Sequence, residues 1–340
     1  MDGPIDTDKQ VRQEPLGLPP GFEWSSCEIG EVQKLLAEYY VEDPDARFRL
    51  TYSEKSIEWA TGGPGAVPDW SIGVRASESR KLLAFISGKR MKVRVNNNVI
   101  QMAEINFLCV HPKLRHKKLA PLMIREVTRR INLTDIWQAI YTGATMRRGA
   151  FTSCRYWHRD LNPKKLQETG FSQMKPGFKK PTNTFQLRPM VPSDVPWVTK
   201  FLNKYLSKFK VVQVFDEAEV AHTFLPRQDV VQSYVLGESD FFSFYSIPNA
   251  VPGQNTDVRT AYGYYFVPGK LETSELLAEA LGRAAQQGYD VFNIIDVANN
   301  DTKTLWDLGF YPGSGSLHYY FFNWQVAQEL KQDDVGIVLP

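Results

Sequence analysis

The stretch from Glu104 to Ile131, EINFLCVHPKLRHKKLAPLMIREVTRRI, constrains this 340-residue chain more than any other. Ile105 to Val110 is an apolar run of the length of a buried strand. Pro112 stops any ladder there, because it has no backbone donor. The basic tetrad Arg115, His116, Lys117 and Lys118 follows. A helical period then places Ala120, Met123, Ile124, Val127 and Ile131 on one side, with Arg125, Glu126, Arg129 and Arg130 on the other. The order predicts a strand, a cationic turn and a helix over 119–131. The free amides of a first helical turn face an anion, and the helix dipole adds to the attraction, so the turn suits a phosphate.

In outline this resembles the acyl-CoA segment of the GNAT acyltransferases. The string EINFLCVHPKLRHKKLAP goes further and resembles the signature of the protein N-myristoyltransferases. TSCRYWHRDLNPKKL at 152–166, LRPM at 187–190, DFFSFYSIP at 240–248, DVFNIIDV at 290–297 and LHYYFFNW at 317–324 resemble further blocks of that family, in its order. The resemblance implies an α/β (α+β) fold of two fused GNAT-like halves related by a pseudo-twofold, with mixed sheets flanked by helices. It implies transfer of myristoyl from myristoyl-CoA to the N-terminal glycine amine of a protein. Myristoyl-CoA would be the acyl donor, with no prosthetic group and no metal.

Size and composition agree with a large globule. The chain can bury one big core or two ordinary ones. A net charge of +2 argues against nucleic-acid binding through bulk field. No apolar run approaches the roughly 20 residues of a membrane span, and the first residues have no apolar signal-peptide core. Asp2 excludes a Met-Gly myristoylation acceptor. Cys27, Cys109 and Cys154 are far apart, with neither disulfide nor zinc spacing, which suits a reducing cytoplasm. A monomer is expected.

Along the chain, residues 1–20 read as an extended polar arm. Helices are expected over 31–40 and, capped by Ser53, over 52–60. Strands are expected over 71–75, 82–87, 91–95 and 100–110, with Asn96, Asn97 and Asn98 forming a hairpin turn. A strand over 137–143 follows the helix. Leu166-x-x-x-Gly170-Phe171 is echoed by Leu305-x-x-x-Gly309-Phe310. In each, the glycine suits a left-handed helix stop. The second copy follows a helix over 274–287 and a strand over 291–297. The echo suggests a duplicated unit, divided in the Lys/Pro/Gly-rich stretch 174–184. An acyl-CoA-binding half would cover 1–185. A half carrying the peptide site and the C-terminus would cover 186–340, opening with a helix capped by Ser193.

Read from residues alone, Phe107 and Leu108 are strand residues whose amides a kink would free for a developing oxyanion. The resemblance assigns them that oxyanion hole. It places acyl-CoA against Phe107, Leu108, Cys109, Val110, His116, Lys118, Leu119 and Ala120, with Arg115 and Lys117 adding field. His116 stands where the family usually has Ser. The family also uses an aromatic, basic segment preceding the position of Met1, so a trimmed chain or weakened CoA binding is expected. Cys109 and Cys154 have no acid–base His at a recognisable spacing and read as packing. The resemblance implies direct attack on the thioester by the amine of an N-terminal glycine, whose pKa near 8 demands a base. The resemblance supplies one in the terminal carboxylate, here on Pro340. The tail Val335-Gly336-Ile337-Val338-Leu339-Pro340 carries no charged side chain, which is easier to explain if it is buried. Asn106 and Thr142 match residues that hold the amine.

By the same motifs Tyr40, Asp43, Asp45, Phe48, Tyr156, His158, Tyr245, Asn293 and Leu317 would line the peptide groove. Departures from the family gather there: Gly143-Ala144, the loop after it, Asn249, and Ser314 in place of an acid. They suggest an altered peptide preference. Two alternatives stay open: a GNAT-type enzyme using another acyl-CoA, and a non-catalytic relative that binds acyl-CoA or acylated peptide.

Overall fold

The computed structural model describes residues 2–41, 48–172, 178–254 and 256–340. Its strands are β1 (Phe22–Ser25), β2 (Arg49–Leu50), β3 (Ile72–Ala76), β4 (Leu82–Val95), β5 (Asn98–Val110), β6 (Gln138–Gly143), β7 (Ala150–Asp160) and β8 (Arg188–Pro189). They continue as β9 (Val211–Gln213), β10 (Val231–Leu236), β11 (Asp240–Ser246), β12 (Asn249–Ala250), β13 (Asp257–Val258), β14 (Thr260–Val267), β15 (Val291–Ile295) and β16 (Tyr311–Phe322). The helices are α1 (Ile29–Tyr39), α2 (Glu54–Thr61), α3 (Leu119–Asn132), α4 (Pro163–Glu168), α5 (Val195–Leu206), α6 (Glu217–Phe224), α7 (Thr273–Gln286) and α8 (Thr302–Asp307).

Among the described residues thirteen strands form one mixed sheet. Its order is β1-β3-β4-β5-β6-β16-β7-β15-β14-β11-β10-β8, with β9 paired to β4. From β3 to β10 this order reads alike from both ends about the β16–β7 pair. Both arms have antiparallel outer strands and one parallel pair, β5 with β6 and β14 with β15. A parallel pair needs a crossover, and the helices α3 and α7 supply it. Each arm then closes on a strand contributed by the other half: β6 pairs with β16, and β15 with β7. This exchange fuses the two halves into one sheet.

Several local expectations hold. Ser53 caps α2 by accepting from Ser56 N. Asn96, at φ 52°, turns the β4–β5 hairpin. Gly170 and Gly309 lie at φ 71° and 79°, and Phe171 N and Phe310 N donate back to Leu166 O and Leu305 O at 2.8 and 2.9 Å. Both copies of the echo are therefore glycine-stopped helices.

Others are corrected. The expected strands 82–87 and 91–95 are one strand, because Gly88 to Arg90 stay paired to Ala103–Ile105. Ser193 does not cap α5. Asp194 takes the local donors instead, accepting from Val191 N and pairing with Arg188 at 2.7 Å. On α3, Ile124 is exposed and Glu126 is fully buried. Arg129 and Arg130 meet that carboxylate at 2.8 and 2.9 Å, and Leu16 N donates to it at 3.0 Å. A charge with that many partners tolerates burial.

Candidate active site

The site forms where β5 leaves the sheet. The β4–β5 register passes from Ser87↔Asn106 to Phe85↔Cys109, so Phe107 and Leu108 sit in a bulge. Phe107 holds φ 55°, a left-handed conformation that costs a bulky residue roughly 1–2 kcal/mol. Its ring is buried and packs against Tyr40 and Tyr52, with centroids at 5.8 and 5.1 Å, which offsets that strain. On its other edge β5 pairs with β6 only from Met102↔Gln138 to Glu104↔Ile140. Beyond Glu104 the two parallel strands part.

Asn106 is the hinge of this arrangement. Its Oδ1 accepts from Phe107 N at 2.8 Å and from Tyr40 Oη at 3.3 Å. Its Nδ2 donates to Pro340 O at 3.0 Å. Of the two amides expected to face an oxyanion, that of Phe107 is held by a neighbouring side chain, outside the ladder. Burial pushes the Tyr40 phenol up to about 12, so it stays a neutral donor to Asn106.

Pro340 is brought here by a tail threaded through the interior. Val335, Ile337, Val338 and Leu339 are buried. Each such side chain removed from water contributes about 1.5–3 kcal/mol, enough to draw an uncharged tail inside. Ala298 N donates to Val335 O at 2.9 Å, and Gly336 N donates to Val211 O at 2.8 Å. Tyr319 Oη donates to Ile337 O, and Val338 N donates to Tyr265 Oη, both at 3.2 Å. Thr142 stands directly opposite Tyr319 in the β6–β16 ladder and shares its face of the sheet.

Beyond the bulge, β5 leads into a tight turn over Pro112–Lys117, capped by His111 Nδ1, which accepts from Lys113 N. Lys118, at φ 57°, redirects the chain into α3. His116, Lys117 and Lys118 are exposed at that helix start, with Leu119 buried and Ala120 half-buried behind them. Arg115 is turned to structural use, donating to Val110 O at 3.2 Å and Tyr39 O at 2.9 Å. The Cys109 thiol is buried under α1 against Leu35 O, and burial pushes it up to about 12, so it is an inert packing group.

Most of the expected groove residues that are described fall into two groups. Tyr40 touches Tyr52, which sequence reasoning missed. Tyr156 and Tyr245 meet through Tyr262, also missed, with centroids at 6.4 and 5.4 Å. Tyr262 lies opposite Asn293 in the β14–β15 ladder, and Asn293 Oδ1 lies 2.7 Å from His158 Nδ1. Phe48 stacks edge-on against Phe171. Leu317 lies in β16 opposite Cys154. Asp43 and Asp45 lie outside the described residues. Tyr262 left a signal in AYGYYF. A tyrosine repeated along a buried strand must find a partner for each hydroxyl.

Among the described residues no group of three or more His, Cys, Asp or Glu is placed to hold a metal ion. No described helix is long and apolar enough to cross a membrane.

A bulged strand parting from its parallel neighbour above a cationic helix start defines an acyl-CoA-dependent acyltransferase of GNAT-like fold. A GCN5-related N-acetyltransferase from Anabaena variabilis shares the fold at 12% identity, with a TM-score of 0.53 over 89% of this chain and 72% of that one. The family models for the N- and C-terminal domains of myristoyl-CoA:protein N-myristoyltransferase match residues 4–154 and 165–338. The chain belongs to this N-myristoyltransferase family. It is 44% identical to glycylpeptide N-tetradecanoyltransferase 1 of Arabidopsis thaliana, over 99% of this chain and 84% of that protein. It is 41% identical to glycylpeptide N-tetradecanoyltransferase 2 of Bos taurus, over 99% and 72%. A structure of Saccharomyces cerevisiae N-myristoyltransferase with bound myristoyl-CoA superposes with a TM-score of 0.93 at 33% identity, covering 100% of this chain and 95% of that one.

Proposed function

We propose that the chain transfers myristoyl from myristoyl-CoA to the N-terminal glycine amine of protein substrates, with the carboxylate of Pro340 as base. The observation that carries this reading is the 3.0 Å hydrogen bond from Asn106 Nδ2 to Pro340 O, beside the Phe107–Leu108 bulge. It supports a base and an oxyanion site converging on one point, which a mere acyl-CoA binder does not need.

Acyl-CoA lies along the parted end of β5, against Phe107 to Val110, with its phosphates at His116 to Ala120 and within the field of Arg115. The glycine amine, held by Thr142 and Asn106, attacks the thioester carbon. Pro340 takes the amine proton as the C–N bond forms. The Leu108 amide stabilises the oxyanion; the Phe107 amide joins it by exchanging its Asn106 partner. The C–S bond then breaks, the amide forms, and CoA leaves as a thiolate that takes a proton.

The half over 1–185 carries acyl-CoA. The half over 186–340 contributes Tyr245, Asn293 and Leu317 to the peptide groove, and the tail. Tyr40, Asp43, Asp45, Phe48, Tyr156, His158, Tyr245, Asn293 and Leu317 line that groove, and Asn249 and Ser314 alter its preference. The enzyme works in the cytoplasm as a monomer. Its near-neutral charge supports protein and CoA partners rather than nucleic acid.

The test is transfer from myristoyl-CoA to a glycine-initiated peptide, in parallel with a chain carrying one extra glycine after Pro340. The extension moves the carboxylate by roughly 3 Å. Transfer by the chain as given, lost on extension, is the expected result. Equal rates for both would remove Pro340 from the mechanism.

A further inference from the structure

The sheet contains a second parting, related to the first by the internal symmetry. β14 pairs with β15 only from Thr260↔Val291 to Tyr262↔Asn293, as β5 pairs with β6 only as far as Glu104. β14 is also bulged at the matching place, its register passing from Phe244↔Gly263 to Ser243↔Tyr265. The chain's own tail enters this second parting. Val335 O accepts from Ala298, just beyond β15, and Val338 N donates to Tyr265 on the parted end of β14. The slot that takes acyl-CoA in one half is filled in the other by residues 335–340.

Within this slot two tyrosines hold the backbone immediately before the carboxylate. Tyr265 is 1% exposed and Tyr319 is fully buried. Their hydroxyls engage consecutive tail residues from different strands, Tyr319 at the Ile337 carbonyl and Tyr265 at the Val338 amide. Upstream, the tail is held by backbone bonds at Val335 and Gly336. Downstream, Asn106 anchors Pro340 itself. With its reach fixed at residues 337 and 338, the carboxylate has two further residues over which to wander.

We propose that Tyr265 and Tyr319 are positioning residues that set where the Pro340 carboxylate meets the substrate amine. Neither touches the reacting atoms; each acts through the tail. The inference rests on the terminal carboxylate being the base.

The experiment compares four proteins: the chain as given, Y265F/Y319F, the chain with one glycine added after Pro340, and the combination. Phenylalanine keeps the rings and removes only the hydroxyls. Transfer from myristoyl-CoA to a glycine-initiated peptide is measured under single-turnover and steady-state conditions, with acyl-CoA affinity followed separately. The expected result for Y265F/Y319F is a kcat lowered roughly tenfold to a hundredfold, as for loss of two buried hydrogen bonds. Acyl-CoA affinity should stay within about twofold, because its site uses other residues. The combination should be no slower than the extended chain, because both changes act through one group.

A merely structural role predicts lowered acyl-CoA affinity and effects that multiply in the combination. Either of these, or an unchanged kcat in Y265F/Y319F, overturns the proposal. If extension alone leaves transfer intact, the terminal-carboxylate reading fails and takes this inference with it. A slow extended chain beside a normal Y265F/Y319F overturns the tyrosine assignment alone. If the double variant melts more than about 10 °C lower, Y265F and Y319F are read singly against the same extension.

Discussion

Asn106 and Pro340 lie 234 positions apart in the chain and 3.0 Å apart in space, with the amide nitrogen of the first donating to the final backbone oxygen of the second. The same side chain orders the bulge by accepting from Phe107 N. Asn106→Ala should therefore lower kcat about tenfold to a hundredfold. Asn106→Asp keeps an acceptor for Phe107 but places a carboxylate against that of Pro340, so it should be at least as slow. Steady-state kinetics with a glycine-initiated peptide checks this, and an aspartate variant near wild-type rate would contradict it.

Gly336 lies against Phe209. A Cβ at this position would come within 2.4 Å of Phe209 Cδ2 and 2.7 Å of Cγ. The Phe209 ring is buried and has little room to yield. Gly336→Ala should cost about 1–3 kcal/mol, as overpacking does. It should also reduce kcat by more than that loss of folded protein explains, because the displaced tail carries Pro340. Thermal melting and rate measured on one sample separate the two effects.

Lys117 and Lys118 are exposed where α3 begins. Replacing both with alanine should raise KM for acyl-CoA about tenfold and leave kcat within about threefold, as loss of two phosphate contacts would. High salt should narrow the gap between variant and wild type, since exposed charges are screened. A KM unchanged at low salt would place the phosphates elsewhere.

Glu126 ties the N-terminal arm to α3. Burial alone would raise its carboxyl, but Arg129, the Leu16 amide and Arg130 outweigh it and hold it down to about 2. The unfolded chain binds this proton near 4.5. The carboxylate thus contributes stability that is complete above 4.5 and is lost as pH falls from 4.5 towards 2. Glu126→Gln should destabilise the protein at pH 7 by about 2–3 kcal/mol. Melting curves of the two proteins should converge over that acid window; a pH-independent difference would exclude the linkage.

Much of the fold was legible because it rests on local rules. The Ser53 cap, the Asn96 turn and the two glycine stops are short-range chemistry. The strand–turn–helix of residues 104–131 was readable for the same reason. Errors came where partners are remote. Glu126 looked like surface on helical period alone, because its partner Leu16 N lies 110 positions away. Nor was it readable that Arg115 ties the turn to α1 through the Tyr39 carbonyl, because the two lie 76 positions apart. Tyr265 and Tyr319 drew no reading from the sequence, because the tail residues they hold lie 73 and 18 positions away.

By itself the sequence determined the alternation of strands and helices, the cationic helix start, an uncharged tail that favours burial, and the resemblance to a family of acyltransferases. These follow from side-chain hydrophobicity, charge and backbone freedom within a few residues. Only the tertiary structure decided that each half closes on the other's strand, that β5 and β14 part from their neighbours at matching places, and that the tail fills one parting and ends at the mouth of the other. Those outcomes depend on which remote surfaces bury each other best, and no local pattern carries that information.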